Sequence, residues 1–171
     1  MYNPREDSYL LAQYASTRSG SLAIDMCTGS GIIANALSDS FETVVGIDID
    51  SKSLEHAKEN VDARFIQSDG FSEVEDFSAD LITCNPPYLP DSGIDDHETE
   101  SGKEGIQFSK QFLHDARNYL NPEGTILLIV STVANHQELL DYAGSLGYSY
   151  DLLDSVSAFF EKICLYEFKM R

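Results

Sequence analysis

Short apolar runs alternate with helix-patterned segments along almost the whole chain, and this alternation constrains the fold more than any other feature. Leu22–Met26 reads as a buried strand ending in the glycine-rich turn Cys27-Thr28-Gly29-Ser30-Gly31, and a helix opens from Gly31 to Ala36. Thr43–Asp48, rich in β-branched residues, is a second strand. Ser51 stands where it could cap a helix running to Asn60. Arg64–Gln67, Asp80–Cys84 and Thr125–Ser131 read as further strands, the second of these halted by paired prolines. Helices are expected over Glu104–Tyr119 and Ala134–Ser145, and two last strands, Tyr148–Asp154 and Ala158–Phe168, have only a short turn between them. Strands alternating with helices imply a mainly parallel sheet covered on both faces, and the final pair implies an antiparallel hairpin closing it. The expectation is a doubly wound α/β domain of seven strands, one unit over residues 1–171.

Composition bounds the function classes. Hydrophobic residues at 42% and charged residues at 23% describe a globular chain. No apolar run reaches the ~20 residues of a membrane span, and the polar, acidic start is unlike a secretory signal, so the cytoplasm is the expected location. Cys27, Cys84 and Cys164 and the four histidines lack metal-ligand spacing; buried thiols and no metal site are expected. Against 11 basic residues stand 29 acidic ones, a formal charge of −18, with no basic cluster to hold a phosphate backbone. Nucleic acid is therefore not the expected partner. The acidity suits a basic protein partner or a salty cytoplasm, and the acidic stretch Asp91–Glu104 reads as a solvated loop.

In open α/β sheets, ligands sit at the carboxyl ends of the strands. Strand one delivers Asp25 through Gly31, whose Gly29 and Gly31 permit a tight turn and close backbone approach. Strand two ends in Asp48, a carboxylate able to accept both hydroxyls of a ribose. Strand three runs into Ser68-Asp69-Gly70, an acceptor suited to an adenine amino group. Gly29-x-Gly31-x-x-Ala34 followed by Asp48 also satisfies the dinucleotide fingerprint. Asp25 argues against that reading, being an anion unhelpful beside a pyrophosphate but suited to a cationic amino acid moiety. The segment after strand four argues against it more strongly.

That segment is Asn85-Pro86-Pro87-Tyr88. Prolines fix φ and carry no N–H, so the backbone is stiff and its carbonyls are left to accept. Those carbonyls and the Asn85 amide oxygen suit an –NH₂ gripped by its hydrogens, with its lone pair aimed at a methyl donor. Tyr88 offers a flat face on which a planar amide or base stacks. In-line transfer from a sulfonium depends chiefly on alignment and needs no strong base.

Together these motifs resemble the class I, Rossmann-like methyltransferases carrying Asn-Pro-Pro-Tyr, and more closely the HemK-type protein glutamine methyltransferases. Pro4-Arg5-Glu6-Asp7-Ser8-Tyr9-Leu10-Leu11 is similar to the segment that family places before its first helix, against the cofactor. Gln67 through Ser72 is similar to its adenine-side motif, and Gly102-Lys103-Glu104-Gly105 to the glycine-rich entry to the helix after the catalytic loop. The resemblance implies S-adenosyl-L-methionine as cofactor, held by Glu6, Asp7, Ser8, Asp25, Thr28, Gly29, Gly31, Asp48, Ile49, Ser68, Asp69, Gly70 and Asn85. It implies Asn85, Pro86 and Tyr88 as the catalytic residues. With no space for an N-terminal recognition domain, the layout is that of the short archaeal and eukaryotic branch. That branch is implied to methylate the glutamine of the Gly-Gly-Gln loop in class I peptide-chain release factors. A small zinc-containing activator subunit is implied to cover the edge strand Arg64–Gln67. Cys27 departs from the family, occupying the place of the first loop glycine; altered packing rather than lost binding is expected. Two alternatives stand beside this one. An adenine-N6 methyltransferase would use the same grip on an exocyclic amine, and a noncatalytic scaffold would bind the cofactor alone.

Overall fold

A computed structural model of the chain describes residues 6–87, 98–133, 135–158 and 161–171, with the backbone alone for 98–105 and 158. The elements in order are α1 (Glu6–Ala15), β1 (Gly20–Met26), α2 (Ile32–Leu37), β2 (Phe41–Asp48), α3 (Ser51–Asn60), β3 (Arg64–Gln67), β4 (Ala79–Cys84), α4 (Glu98–Ala116), β5 (Leu120–Ser131), α5 (His136–Ser145), β6 (Tyr148–Ala158) and β7 (Glu161–Met170).

Seven strands form one sheet in the order β3-β2-β1-β4-β5-β7-β6. The first five are parallel, and β7 pairs antiparallel with both β5 and β6. The expected closing hairpin is therefore present, with β7 on its inner side. β1 lies between β2 and β4, so the chain turns to opposite sides of β1 there: a switch point where strand ends leave a crevice.

The two-residue side-chain period of each strand sorts the core into two layers. Ile24, Met26, Val45, Ile47, Ile82, Cys84, Ile126, Leu128, Cys164, Tyr166 and Phe168 face one way, where Phe71, α4 and α5 cover them. Ala23, Val44, Leu81, Leu127, Ile129, Ile163 and Leu165 face the other way, under α1 and α2. At ~25 cal/mol per Å² of apolar surface removed from water, these two layers supply the main drive for folding. Among the described residues, no helix is long and apolar enough to cross a membrane.

Several boundaries differ from those expected. The segment around Glu6–Leu11 forms the first helix itself, because Leu10, Leu11 and Ala15 give it an apolar face against the sheet. The cap of α3 is Asp50, not Ser51: its carboxylate accepts from the backbone N–H of Lys52 and Ser53. Helix α4 starts at Glu98, six residues early, so the Gly102–Gly105 segment lies within the helix and not at its entry. The helix stops at Ala116, before the expected Tyr119, because the Tyr119 carbonyl instead accepts from Ala79 N–H and starts β5. β5 is longer than expected, and a register irregularity between Ala79 and Leu81 accommodates its Asn121-Pro122 start. β6 continues past the expected end at Asp154, staying paired with β7 through Ala158↔Glu161 beyond a register shift between Leu152 and Asp154.

Candidate active site

β1 and β4 are neighbours, paired through Asp25↔Thr83 and Met26↔Cys84. Their carboxyl ends therefore bring the glycine turn and Asn85 side by side.

The glycine turn is tightly braced. Thr28 N–H donates to Ile47 O (2.9 Å) and Gly31 N–H to Thr28 O (2.8 Å). Gly29 N–H donates to Asp48 Oδ2 (2.8 Å), tying the turn to the end of β2. Gly31 has φ 81°, and a Cβ there would press on Ala57 and Val61 at 3.1 Å, so only glycine suits it. Cys27, at the departure from the family pattern, is the one non-glycine residue with positive φ among those described (60°). That conformation is the one a glycine would supply, and cysteine holds it at a cost of about 1–2 kcal/mol. Its sulfur lies beside Cys84, whose thiol is pushed well above its ordinary range by burial first and then by the Cys27 sulfur. A thiol so shifted stays protonated and serves as packing.

Asp25 is 1% exposed and lies beneath the turn. Thr28 Oγ1 (2.6 Å) and Thr83 Oγ1 (2.8 Å) donate to its carboxylate. Burial nevertheless raises its pKa to about 6, the two threonine hydroxyls opposing the shift. A cationic group nearby would relieve that burden. Asp48 also accepts from Asp50 N–H at 3.0 Å, so two of the roughly four acceptor positions of its carboxylate are used by backbone and the rest remain for hydroxyl donors. Ile49, the next residue, is 63% exposed, an apolar face in the crevice. Ser68 is buried and structural: its hydroxyl accepts from Glu73 N–H and meets Ser72 Oγ, closing the turn after β3. Asp69 is exposed, and Gly70 (φ 55°) has nothing near its missing Cβ, so backbone conformation explains that glycine. These groups fit a nucleoside with an aminoacyl tail: acceptors for hydroxyls and an amino group, an apolar face, and a glycine turn open to close approach.

Asn85 supplies the reactive-side geometry. Its Nδ2 donates to Asp7 Oδ2 and to Ser8 Oγ, both at 3.2 Å, while its Oδ1 is buried and accepts nothing among the described residues. Asp7 (6% exposed) and Ser8 (4%) lie in the first turn of α1, and Ser8 N–H anchors Asp7 Oδ1 at 2.7 Å. Pro86 is buried and Pro87 exposed. Glu6 is exposed at the start of α1. Tyr88 lies outside the described residues, as do Pro4 and Arg5. Gly46 was missed by the sequence reading: a Cβ there would meet the Phe65 ring at 2.6 Å and Thr28 Oγ1 at 3.0 Å. A lone glycine inside a β-branched run was the available signal.

Comparisons with known proteins agree with this architecture. A Methanocaldococcus jannaschii protein, provisionally named protein N5-glutamine methyltransferase, is 29% identical over 95% of this chain and 88% of its own length. The ribosomal protein uL3 glutamine methyltransferase of Neisseria meningitidis serogroup A is 31% identical over 71% of this chain, which spans 45% of that protein. Among solved structures, the Mtq2-Trm112 complex of E. cuniculi, responsible for methylating the termination factor eRF1, superposes with a TM-score of 0.79. The identity is 24%, over 99% of this chain and 98% of that one. A Bacteroides fragilis S-adenosylmethionine-dependent methyltransferase, solved with S-adenosyl-L-homocysteine, gives 0.67 at 20% identity over 94% and 76% of the two chains. Residues 6–147 match the model of the Methyltransferase small domain family, and this chain belongs to that family.

Proposed function

We propose that the chain, acting in the cytoplasm as one catalytic domain over residues 1–171, methylates the side-chain nitrogen of a protein glutamine. The glutamine is that of the Gly-Gly-Gln loop of a class I peptide-chain release factor, which puts the chain in the HemK-type release-factor branch. The observation that carries the reading is Asn85 Oδ1: a buried acceptor with no donor among the described residues, beside the glycine turn at the sheet's switch point. A buried carbonyl oxygen left unpaired costs about 1–3 kcal/mol, and a substrate –NH₂ would remove that cost by donating to it.

The cofactor, when bound, supplies an electrophilic methyl on a sulfonium. Asn85 Oδ1 and the stiff carbonyls of Pro86 and its neighbours hold the hydrogens of the amide and so orient its nitrogen. Tyr88, by its residue type, would offer a flat face for the amide. These acceptors also favour the positive charge that develops on the nitrogen during transfer. Asp48 takes the ribose hydroxyls, Asp69 and Gly70 the adenine edge, and Ile49 the adenine face. Asp25, Thr28, Gly29 and Gly31 hold the aminoacyl end, and Glu6, Asp7 and Ser8 close over it. Ser68 acts through the turn it fixes.

The relatives named for glutamine methylation support this acceptor over an adenine, and so does the charge of −18. The likeness to the Mtq2-Trm112 complex, which methylates a termination factor, supports the release factor as substrate and a second, activating subunit; that this subunit is small, contains zinc and covers the edge strand β3 is our own proposal. The relatives named for uL3 support a second reading, a glutamine of a ribosomal protein. The test offers the chain, with and without such a subunit, labelled S-adenosyl-L-methionine and several acceptors. These are a release factor, its Gln→Ala version, ribosomal protein uL3 and an adenine-containing oligonucleotide. Label on the intact release factor alone is expected. Label on the oligonucleotide instead would sink the proposal, and label on uL3 alone would replace it by the second reading. Asn85→Ala is expected to lose transfer by about 100-fold or more while retaining cofactor.

A further inference from the structure

We infer that Asp7 is a positioning residue whose carboxylate, with the Ser8 hydroxyl, sets which end of the Asn85 side-chain amide faces the acceptor. The inference rests on Asn85 being the residue that grips the substrate amide.

An asparagine side chain is nearly symmetric in shape, and a half-turn exchanges its oxygen for its NH₂. Catalysis by Asn85 needs the oxygen inward, because an –NH₂ there would clash, donor against donor, with the substrate. Nothing in Asn85 itself selects that orientation. Two residues of the first turn of α1 do. Asp7 Oδ2 and Ser8 Oγ each lie 3.2 Å from Nδ2, so both amide hydrogens have acceptors on the helix. An ionised carboxylate only accepts, and the flipped amide would set its oxygen against the Oδ2 of the buried Asp7. The carboxylate is itself held, its Oδ1 accepting from Ser8 N–H at 2.7 Å and from Ser8 Oγ at 3.4 Å. Ser8 Oγ thus donates to Asp7 and accepts from Asn85. The outcome is the buried, acceptor-ready Oδ1 seen in the structure. The device spans 78 residues of sequence and joins the start of α1 to the end of β4.

Asp7→Asn tests this with almost no change of shape. An amide at position 7 can donate to Asn85 Oδ1 and so stabilise the flipped form. Assays use the full chain, labelled S-adenosyl-L-methionine and the release factor, with Asn85→Ala as the reference for loss of the grip. Asp7→Asn is expected to lower kcat by about 10- to 100-fold at saturating cofactor, as misalignment at a reacting centre does. Because Asp7 also closes over the cofactor, its Kd is expected to rise modestly, an effect that saturation removes from the comparison, while the thermal midpoint should stay close to wild type. Ser8→Ala is expected to lower kcat less, and Ser8→Thr, which keeps the hydroxyl, to restore it. This pair carries the test if Asp7→Asn does not fold. An inactive Asn85→Ala beside an Asp7→Asn with wild-type kcat would overturn the positioning role alone. Weakened cofactor binding with wild-type kcat at saturation would make Asp7 a cofactor ligand only, and would overturn it too. A fully active Asn85→Ala would remove the grip itself, and the positioning role with it.

Discussion

At the residue scale, polarity at the strand ends works against burial. Asp25 is the sharpest case, a carboxylate 1% exposed whose pKa burial raises to about 6 from an ordinary 3.8. Between those two values the folded chain binds more protons at this site than the unfolded chain. Stability from this group is therefore fully present below the unfolded pKa and is lost as pH rises through about 6. The penalty at neutral pH is on the order of a few kcal/mol, at about 1.4 kcal/mol per pKa unit. Asp25→Asn removes the titration. Urea unfolding without cofactor, run from pH 4 to pH 8, is expected to show the variant gaining on wild type as pH rises; parallel profiles would show that Asp25 is not the group responsible. The residue types at the strand ends were legible because each sits where a strand's pattern stops. The contact between Asn85 and the first turn of α1 was not, since no local spacing relates residues 78 apart.

At the scale of elements, β2 links the edge strand to the cofactor turn through Gly46. A Cβ at that position would reach the Phe65 ring on β3 at 2.6 Å and Thr28 Oγ1 at 3.0 Å. Phe65 is half-buried, so its ring has room to turn outward, but Thr28 is held by Asp25 beneath it. Gly46→Ala is expected to destabilise the chain by about 1–3 kcal/mol, the usual cost of overpacking, measured as a lowered urea midpoint. A shift under about 0.5 kcal/mol, the level of ordinary surface changes, would mean that Phe65 gives way freely. The parallel order and the hairpin were readable because buried strands announce themselves as short apolar runs bounded by turns. Element ends were harder. The start of α4 runs through glycines and charges whose local preferences are weak, and the cap of α3 passed from Ser51 to Asp50 because either side chain could serve. Helix α1 was hidden because its buried apolar face is short: Leu10, Leu11 and Ala15 enter the core, while Ala12 and Tyr14 pack against it only partly buried.

At the scale of the whole molecule, 29 acidic residues against 11 basic ones give a field that acts on folding and on encounter in opposite senses. Self-repulsion at −18 disfavours the compact state, and salt screens it over a Debye length of about 8–10 Å at physiological ionic strength. Raising monovalent salt should therefore raise the unfolding midpoint. The same field attracts a basic protein surface and repels a polyanion, and salt weakens both effects. For a basic segment around the target glutamine, kcat/KM should fall as salt rises from about 50 to 300 mM, mainly through slower association. For an adenine oligonucleotide the early response should be the reverse, because screening relieves repulsion before it weakens any local contact. Measured on one preparation, the two slopes separate the acceptors by a criterion independent of which one is labelled more. A rate on the release factor that ignores salt, beside a midpoint that rises with it, would assign the acidity to the chain's own solubility and leave recognition to the neighbourhood of Asn85.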